Sequence, residues 1–309
     1  GHVWELEGAE TANNLAFKVF HGNELDDRIK VQRFANGYHA MRKLSHPRIV
    51  KVHELSAAPY GFYMDAIPGE NLRNLYYDRS DAGLAVRMLR DIAETVASAH
   101  SSGVRHRDIK PENIIVVTNP DGTLTPFLTD FDLAYHETNR TMTTMMGVGG
   151  VINYAAPEQL FEPNTSKARA ETVDVYSLAQ LLYFVVTGRD PKPEDPKANH
   201  RSLRERLNNW IDARASAWLL EAFDSASRRD PDERLATVIE FMEFLAKADA
   251  AIVTSSDQDS VAPSDWCAQL GHVYAGLERY SLANDREVRM KSPSGQVYIV
   301  AVLSDVREG

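Results

Sequence analysis

The sequence predicts an α+β fold: a small, strand-rich N-terminal part with one main helix, then a larger, mostly helical part. Three observations lead there. Residues 1–67 are short apolar runs separated by turn residues, with one helical pattern over 29–44. From residue 68 onward, apolar residues recur mainly at helical spacing. The helical stretches are interrupted by a hairpin signal, Asn119-Pro120-Asp121-Gly122, between apolar runs at 114–117 and 124–129.

Taken in order, residues 3–7 and 14–20 read as strands joined by a polar turn. The helix over 29–44 uses Ile29, Phe34, Ala40, Met41 and Leu44 as apolar positions, is interrupted by Gly37, and stops at His46-Pro47. Residues 49–55 and 60–67 read as two further strands, the second broken by Pro68-Gly69. Leu84, Met88, Leu89, Ile92, Val96 and Ala99 mark a helix that stops at Gly103. Residues 138–151, rich in Thr, Met and Gly, have no period and read as a loop. Residues 173–186 are apolar on nearly every side, which suits a helix buried within a domain, ended by Gly188. Helices are expected near 202–211, 214–224, 235–250 and 264–284, with a hairpin over 287–303 about Ser292-Pro293-Ser294-Gly295. The expected organisation is 1–67, 68–250, a linker 251–263, and a helix-plus-hairpin extension 264–309. The strand at 297–303 is apolar enough to require pairing, and an open edge there invites self-association.

Composition excludes several classes. With 34 Lys and Arg against 44 Asp and Glu, the net charge is −10, so no broad basic surface for nucleic acid is expected. No apolar run is long enough to span a membrane. The single cysteine, Cys267, has no internal disulfide partner, and the start carries no signal peptide, so a reducing cytoplasm is expected. His39, His46 and His53 are spaced by seven but fall on different predicted elements, so no metal site is expected of them. Gly1 opens directly onto a strand, so the numbering is expected to begin inside a longer chain.

The strongest chemical signal is His106-Arg107-Asp108-Ile109-Lys110-Pro111-Glu112-Asn113. A hairpin later comes Asp130-Phe131-Asp132, then Ala156-Pro157-Glu158, while Ala16-Phe17-Lys18 lies upstream on a predicted strand. Together and in this order these resemble the protein-kinase signature set, most closely that of the eukaryotic-like serine/threonine kinases of bacteria, over roughly residues 1–250. The resemblance implies a bilobal fold, ATP with magnesium (manganese as the alternative metal), and a protein substrate.

The chemistry accounts for the residue types. Phosphoryl transfer needs positioning and charge neutralisation more than covalent help. By resemblance, Asp108 orients the substrate hydroxyl and accepts its proton, and Lys110 stabilises charge on the transferred group and favours Ser or Thr acceptors. Asn113 and Asp130 offer the hard oxygens that magnesium prefers. Lys18 holds the α- and β-phosphates as a point charge. Met64 matches the gatekeeper behind adenine, and Asp65, Ala66 and Ile67 match the hinge. Gly1-x-Val3 matches only the last glycine and following valine of the phosphate loop, placing Val3 over the nucleotide. Asp174 matches the residue that orients the catalytic loop, and Glu158 with Arg234 matches a buried ion pair. Arg107 matches an arginine that meets a phosphate on the activation loop, with Thr138, Thr141, Thr143 and Thr144 as candidate acceptors.

Four departures stand out. Gly37 falls where the family carries the glutamate that pairs with Lys18, so Glu24, Asp26 or Asp27 substitutes, or Lys18 meets only the nucleotide or Asp130. Asp132 replaces the usual glycine, which stiffens that hinge. The rest of the glycine-rich loop is missing, and Val151 stands where Ser/Thr kinases usually carry Thr. Gly37, Asp132 and Val151 keep a pseudokinase, a nucleotide-binding or scaffold module, as the alternative. A small-molecule kinase is disfavoured because the Ala-Pro-Glu segment is present.

Overall fold

The computed structural model describes residues 2–5, 15–20, 27–75, 81–131, 135–136, 152–258, 278–282, 287–291 and 297–302. The chain divides into two compact units, 1–253 and 254–309.

In the first unit, β1 (His2–Glu5), β2 (Leu15–Val19), β3 (Val52–Ala57) and β4 (Tyr60–Asp65) form an antiparallel sheet in the order β1-β2-β4-β3. Helix α1 (Arg28–Lys43) packs on it through aromatic rings. Phe34 meets Phe20 at 5.3 Å and Phe62 at 5.1 Å between centroids, and Tyr38 meets Phe62 at 5.4 Å. Such edge-on and tilted contacts add about 0.5–1.5 kcal/mol each beyond area burial. Arg42 and Lys43 close the last turn, where positive charge suits the helix dipole. Gly61 lets β4 approach β2 closely. A Cβ there would lie 2.5 Å from the Lys18 carbonyl oxygen, closer than any real contact.

The strand expected at 49–55 is instead shared between two sheets. Val50 N–H donates to Leu128 O at 3.0 Å and Leu128 N–H to Arg48 O at 2.7 Å, while β3 begins only at Val52. Both halves satisfy the same apolar pattern, which does not say which neighbour each will pair with.

The larger part begins with β5 (Glu70–Asn71) and α2 (Ala82–Ser101), whose first turn is capped by Asp81 accepting Leu84 N–H at 2.7 Å. Then come β6 (Val104–Arg105), β7 (Ile114–Thr118), β8 (Leu124–Leu128) and β9 (Tyr135–His136). Strands β5-β7-β8 form one sheet, and β6 pairs with β9. After α3 (Pro157–Phe161) comes α4 (Thr172–Thr187), in which every residue from Val173 to Val186 is buried, as its all-round apolar sequence predicts. Gly188 ends it in the left-handed conformation at φ 70°. Helices α5 (Pro196–Asn208) and α6 (Ala213–Ala226) pack against it, and α7 (Val238–Gln258) follows.

Two helix boundaries depart from expectation. Helix α5 starts at Pro196, where Asp195 caps it and proline occupies the first turn. Helix α7 runs to Gln258 and takes in part of the expected 251–263 linker. Phe241, Leu245, Ala248 and Ala251 are buried, so its apolar stripe continues past 250.

In the second unit, β10 (Glu278–Leu282), β11 (Glu287–Lys291) and β12 (Val297–Val302) form an antiparallel sheet in that order. The hairpin expected over 287–303 is there. The helix expected over 264–284 is corrected: 278–282 is a strand, because pairing with β11 outweighs a weak local helical pattern. Residues 264–277 lie outside the described residues.

Candidate active site

The loop His106–Asn113 joins β6 to β7 and is held from below by Asp174, in the first turn of α4. Asp174 is fully buried. Its Oδ1 accepts Arg107 N–H at 2.7 Å; its Oδ2 accepts His106 N–H at 2.8 Å and lies 2.7 Å from His100 Nε2. Burial alone would push this carboxyl up, but the hydrogen bonds from His100 and from the loop outweigh it and hold it below the usual carboxylate range. Arg107 sits at φ 66° with its side chain buried. Gln159 ties it to the Ala156-Pro157-Glu158 segment, donating to Arg107 O and accepting Ala156 N–H, both at 3.0 Å.

His106 is buried against Phe131, with ring centroids 4.3 Å apart. Its Nδ1 accepts Asp108 N–H at 3.2 Å, so the ring proton resides on Nε2, which donates to Thr129 O at 3.0 Å. Burial pushes its pKa down, and the two backbone partners match the neutral ring. One neutral imidazole thereby links the His106–Asn113 loop to the segment carrying Asp130.

Asp108, Lys110 and Asn113 converge. Asp108 Oδ2 accepts Lys110 Nζ at 2.8 Å and Asn113 Nδ2 at 2.9 Å, and the same Asn113 amide donates to Asp108 O at 2.8 Å. Asp108 Oδ1 takes no hydrogen bond from the described residues. Burial raises the Asp108 pKa, and Lys110 opposes that rise. Both donor positions of the Asn113 amide contact point at Asp108, which leaves its side-chain carbonyl oxygen for a cation.

Lys18 on β2 is only 4% exposed and meets Asp130 Oδ1 at 2.5 Å. Its ammonium lies 5.7 Å from the Phe34 centroid and 5.9 Å from that of Phe62. Asp130 sits at φ 68°. Of the acids considered in place of the missing glutamate, Asp27 accepts Lys30 N–H at the start of α1, and Glu24 and Asp26 lie outside the described residues. Gly37 is buried within α1. Among the described residues, Asp130 is the carboxylate that Lys18 meets.

Met64 is buried on β4, opposite Ala16 and Val52. The ladder ends at Asp65, whose N–H goes to Lys51 O, so the Ile67 N–H is not taken up by the sheet. Asp65 also meets His53 Nε2 at 2.6 Å, a contact that the seven-residue spacing of His39, His46 and His53 does not signal. Val3 pairs with Lys18 across β1 and β2 and is exposed. Glu158 and Arg234 form a buried two-pronged pair at 2.7 and 3.1 Å. Gln159 was also missed, although a glutamine three residues after Ala156 is a capping-box position. Asp132, Val151 and the four candidate threonines, Thr138, Thr141, Thr143 and Thr144, lie outside the described residues.

Comparison with known proteins adds the following. The model of the protein kinase domain family matches residues 1–249. The chain is 33% identical over 208 residues to serine/threonine-protein kinase PkaA of Streptomyces coelicolor, covering 62% of this chain and 37% of that protein. It is 33% identical over 199 residues to PkaB of the same organism, covering 62% and 46%. It is 30% identical over 199 residues to PknD of Mycobacterium tuberculosis, covering 63% and 29%. The chain thus spans less than half the length of these relatives. Among solved structures, the Rad53 kinase domain with SCD2 has a TM-score of 0.58 at 22% identity, covering 83% of this chain and 94% of that one, which is a likeness of fold.

Proposed function

The chain belongs to the protein kinase domain family, and from that premise we propose that it is a serine/threonine protein kinase of the bacterial type, transferring the γ-phosphoryl group of ATP to protein hydroxyls in the cytoplasm. The observation that carries this reading is Asp108. Its Oδ2 is held by Lys110 and Asn113, while Oδ1 is left by the described residues for a substrate hydroxyl. Lys110, tethered to that carboxylate, would supply the cation that charge on the transferred group needs. Lys18 is buried, and its point charge suits the α- and β-phosphates.

The donor set fits a hard divalent ion: Asp130 offers a carboxylate and Asn113 a carbonyl oxygen, a sparse pair of the kind magnesium completes with phosphates and water. When bound there, the ion would neutralise phosphate charge. Asp108 accepts the hydroxyl proton, and the Asp174 clamp on the loop keeps that carboxylate in place. Arg107 adjoins Asp108, and one of Thr138, Thr141, Thr143 and Thr144 is proposed as its phosphorylated partner; mass spectrometry after incubation with ATP and magnesium tests this, and a wholly unmodified loop refutes it.

The activity is tested by incubating the protein and Asp108→Asn with labelled ATP, magnesium and a pool of Ser- and Thr-containing peptides. Incorporation that the variant loses supports the reading. Equal signals from both proteins overturn it.

A further inference from the structure

Beside the catalytic loop lies a cluster that the phosphoryl-transfer chemistry leaves unexplained. Arg73 Nε donates to Glu112 Oε1 at 2.8 Å, and Arg73 Nη1 donates to Asp190 Oδ1 at 2.7 Å. The same Asp190 oxygen accepts the Tyr154 hydroxyl at 2.7 Å. The guanidinium lies 4.9 Å from the Phe184 centroid, which sets its plane.

Position gives the cluster its meaning. Glu112 stands two residues after Lys110 and next to Asn113, and Tyr154 stands two residues before Ala156. The cluster therefore joins the loop that carries Asp108 to the segment leading into α3. On the kinase reading, a peptide whose hydroxyl reaches Asp108 would bring neighbouring residues near this surface, since Glu112 lies four residues from Asp108. Glu112 and Asp190 have side chains 35% and 41% exposed, so the site is open enough to meet one. Two adjacent carboxylates at such a place would recruit a basic side chain. Glu112 needs one in particular. Its Oε2 is buried without a hydrogen-bond partner, so its pairing with Arg73 through Oε1 is what satisfies the carboxylate. Arg73 supplies that guanidinium from within the chain. Burial works against its charge, but the bonds to Glu112 and Asp190 outweigh burial and raise its pKa above the ordinary arginine value, so the pair does not switch with pH.

We propose that Arg73 determines acceptor specificity: it fills the Glu112–Asp190 site in place of a substrate arginine or lysine, so the enzyme does not select basic residues beside the phosphoacceptor. The proposal rests on the kinase reading and names what that same site selects.

The test compares the wild-type chain with Arg73→Gln and with the double variant Arg73→Gln/Glu112→Gln. The probes are Ser- and Thr-containing peptides that differ only by Arg or Ala at each flanking position. Two ratios of Arg to Ala peptide are read: phosphate incorporation, and binding by fluorescence anisotropy. Ratios near one for wild type, about tenfold or more for Arg73→Gln at one or two positions, and falling back in the double variant support the proposal. A wild type that already selects arginine, or an unchanged ratio in folded Arg73→Gln, overturns it. If Arg73→Gln does not fold, the comparison moves to Glu112→Gln alone: lower arginine selection than wild type overturns the proposal, and an unchanged ratio near one supports it. Absence of incorporation from every protein refutes the kinase reading instead, and the binding ratios still decide the role of Arg73.

Discussion

The carboxylate of Asp174 accepts the backbone N–H of Arg107 at 2.7 Å, and Arg107 stands at φ 66°. A non-glycine residue in that region carries about 1–3 kcal/mol of strain, which the clamp from α4 offsets. Asp174→Asn cannot replace it. Whichever way the amide turns, its NH2 faces a donor: Arg107 N–H on one side, His106 N–H and His100 on the other. The expected loss is about 3 kcal/mol, read by urea unfolding. The wild-type dependence on pH has a definite sign. A carboxyl held low in the folded state contributes stability that is present above the ordinary aspartate pKa and is lost as pH falls through the folded value. Asp174→Asn should remove that part of the acid slope, and an unchanged slope would count against the clamp.

Asp108 shifts the opposite way. Burial raises its pKa, so the carboxylate needed to accept a proton is lost at a higher pH than for an ordinary aspartate. The acid limb of kcat/KM is therefore expected above the ordinary aspartate range. Lys110→Met removes the charge that opposes the rise, so the limb should move further up while kcat falls by about a hundredfold or more. A limb that stays where it was would show that Lys110 does not hold Asp108.

Lys18 is buried and meets Asp130. Lys18→Met leaves Asp130 without this partner and removes the point charge proposed to hold the phosphates, so nucleotide affinity should fall about tenfold or more. Lys18→Arg should not rescue it, because a guanidinium is larger and Lys18 is buried beside the Phe34 and Phe62 rings. Titration with a fluorescent nucleotide analogue measures both, and full affinity in Lys18→Arg would contradict the steric argument.

The Glu158–Arg234 pair is buried on both sides, and Arg234 also donates to Thr172 O. Glu158→Ala leaves the guanidinium with less than its full set of partners and should destabilise the chain by about 3–5 kcal/mol. Thermal unfolding compares it with Glu158→Gln, which keeps one acceptor and should lose less. Equal losses in the two variants would mean that charge pairing is not what the site supplies.

Much of the site was legible because its parts are close in sequence. Asp108, Lys110 and Asn113 lie within one short loop, so any structure that orders the loop brings them together. The α4 helix was legible because an apolar run with no polar face has only a buried place to go. The early start of α5 was also written locally, in Asp195 and Pro196, and was overlooked. The shared pairing around Val50 and the strand at 278–282 were not legible, because strand partners are chosen by tertiary neighbours rather than by period.

By itself the sequence determined which groups could do chemistry here and that Gly37 could not answer Lys18. Only the folded chain decided that Asp130 meets that ammonium, that His53 reaches Asp65, and that Arg73 stands between Glu112 and Asp190. Local patterning comes from the bond geometry of a few residues. Ion pairs spanning a hundred residues depend on where separate helices and strands come to rest against one core, and no short stretch of chain carries that information.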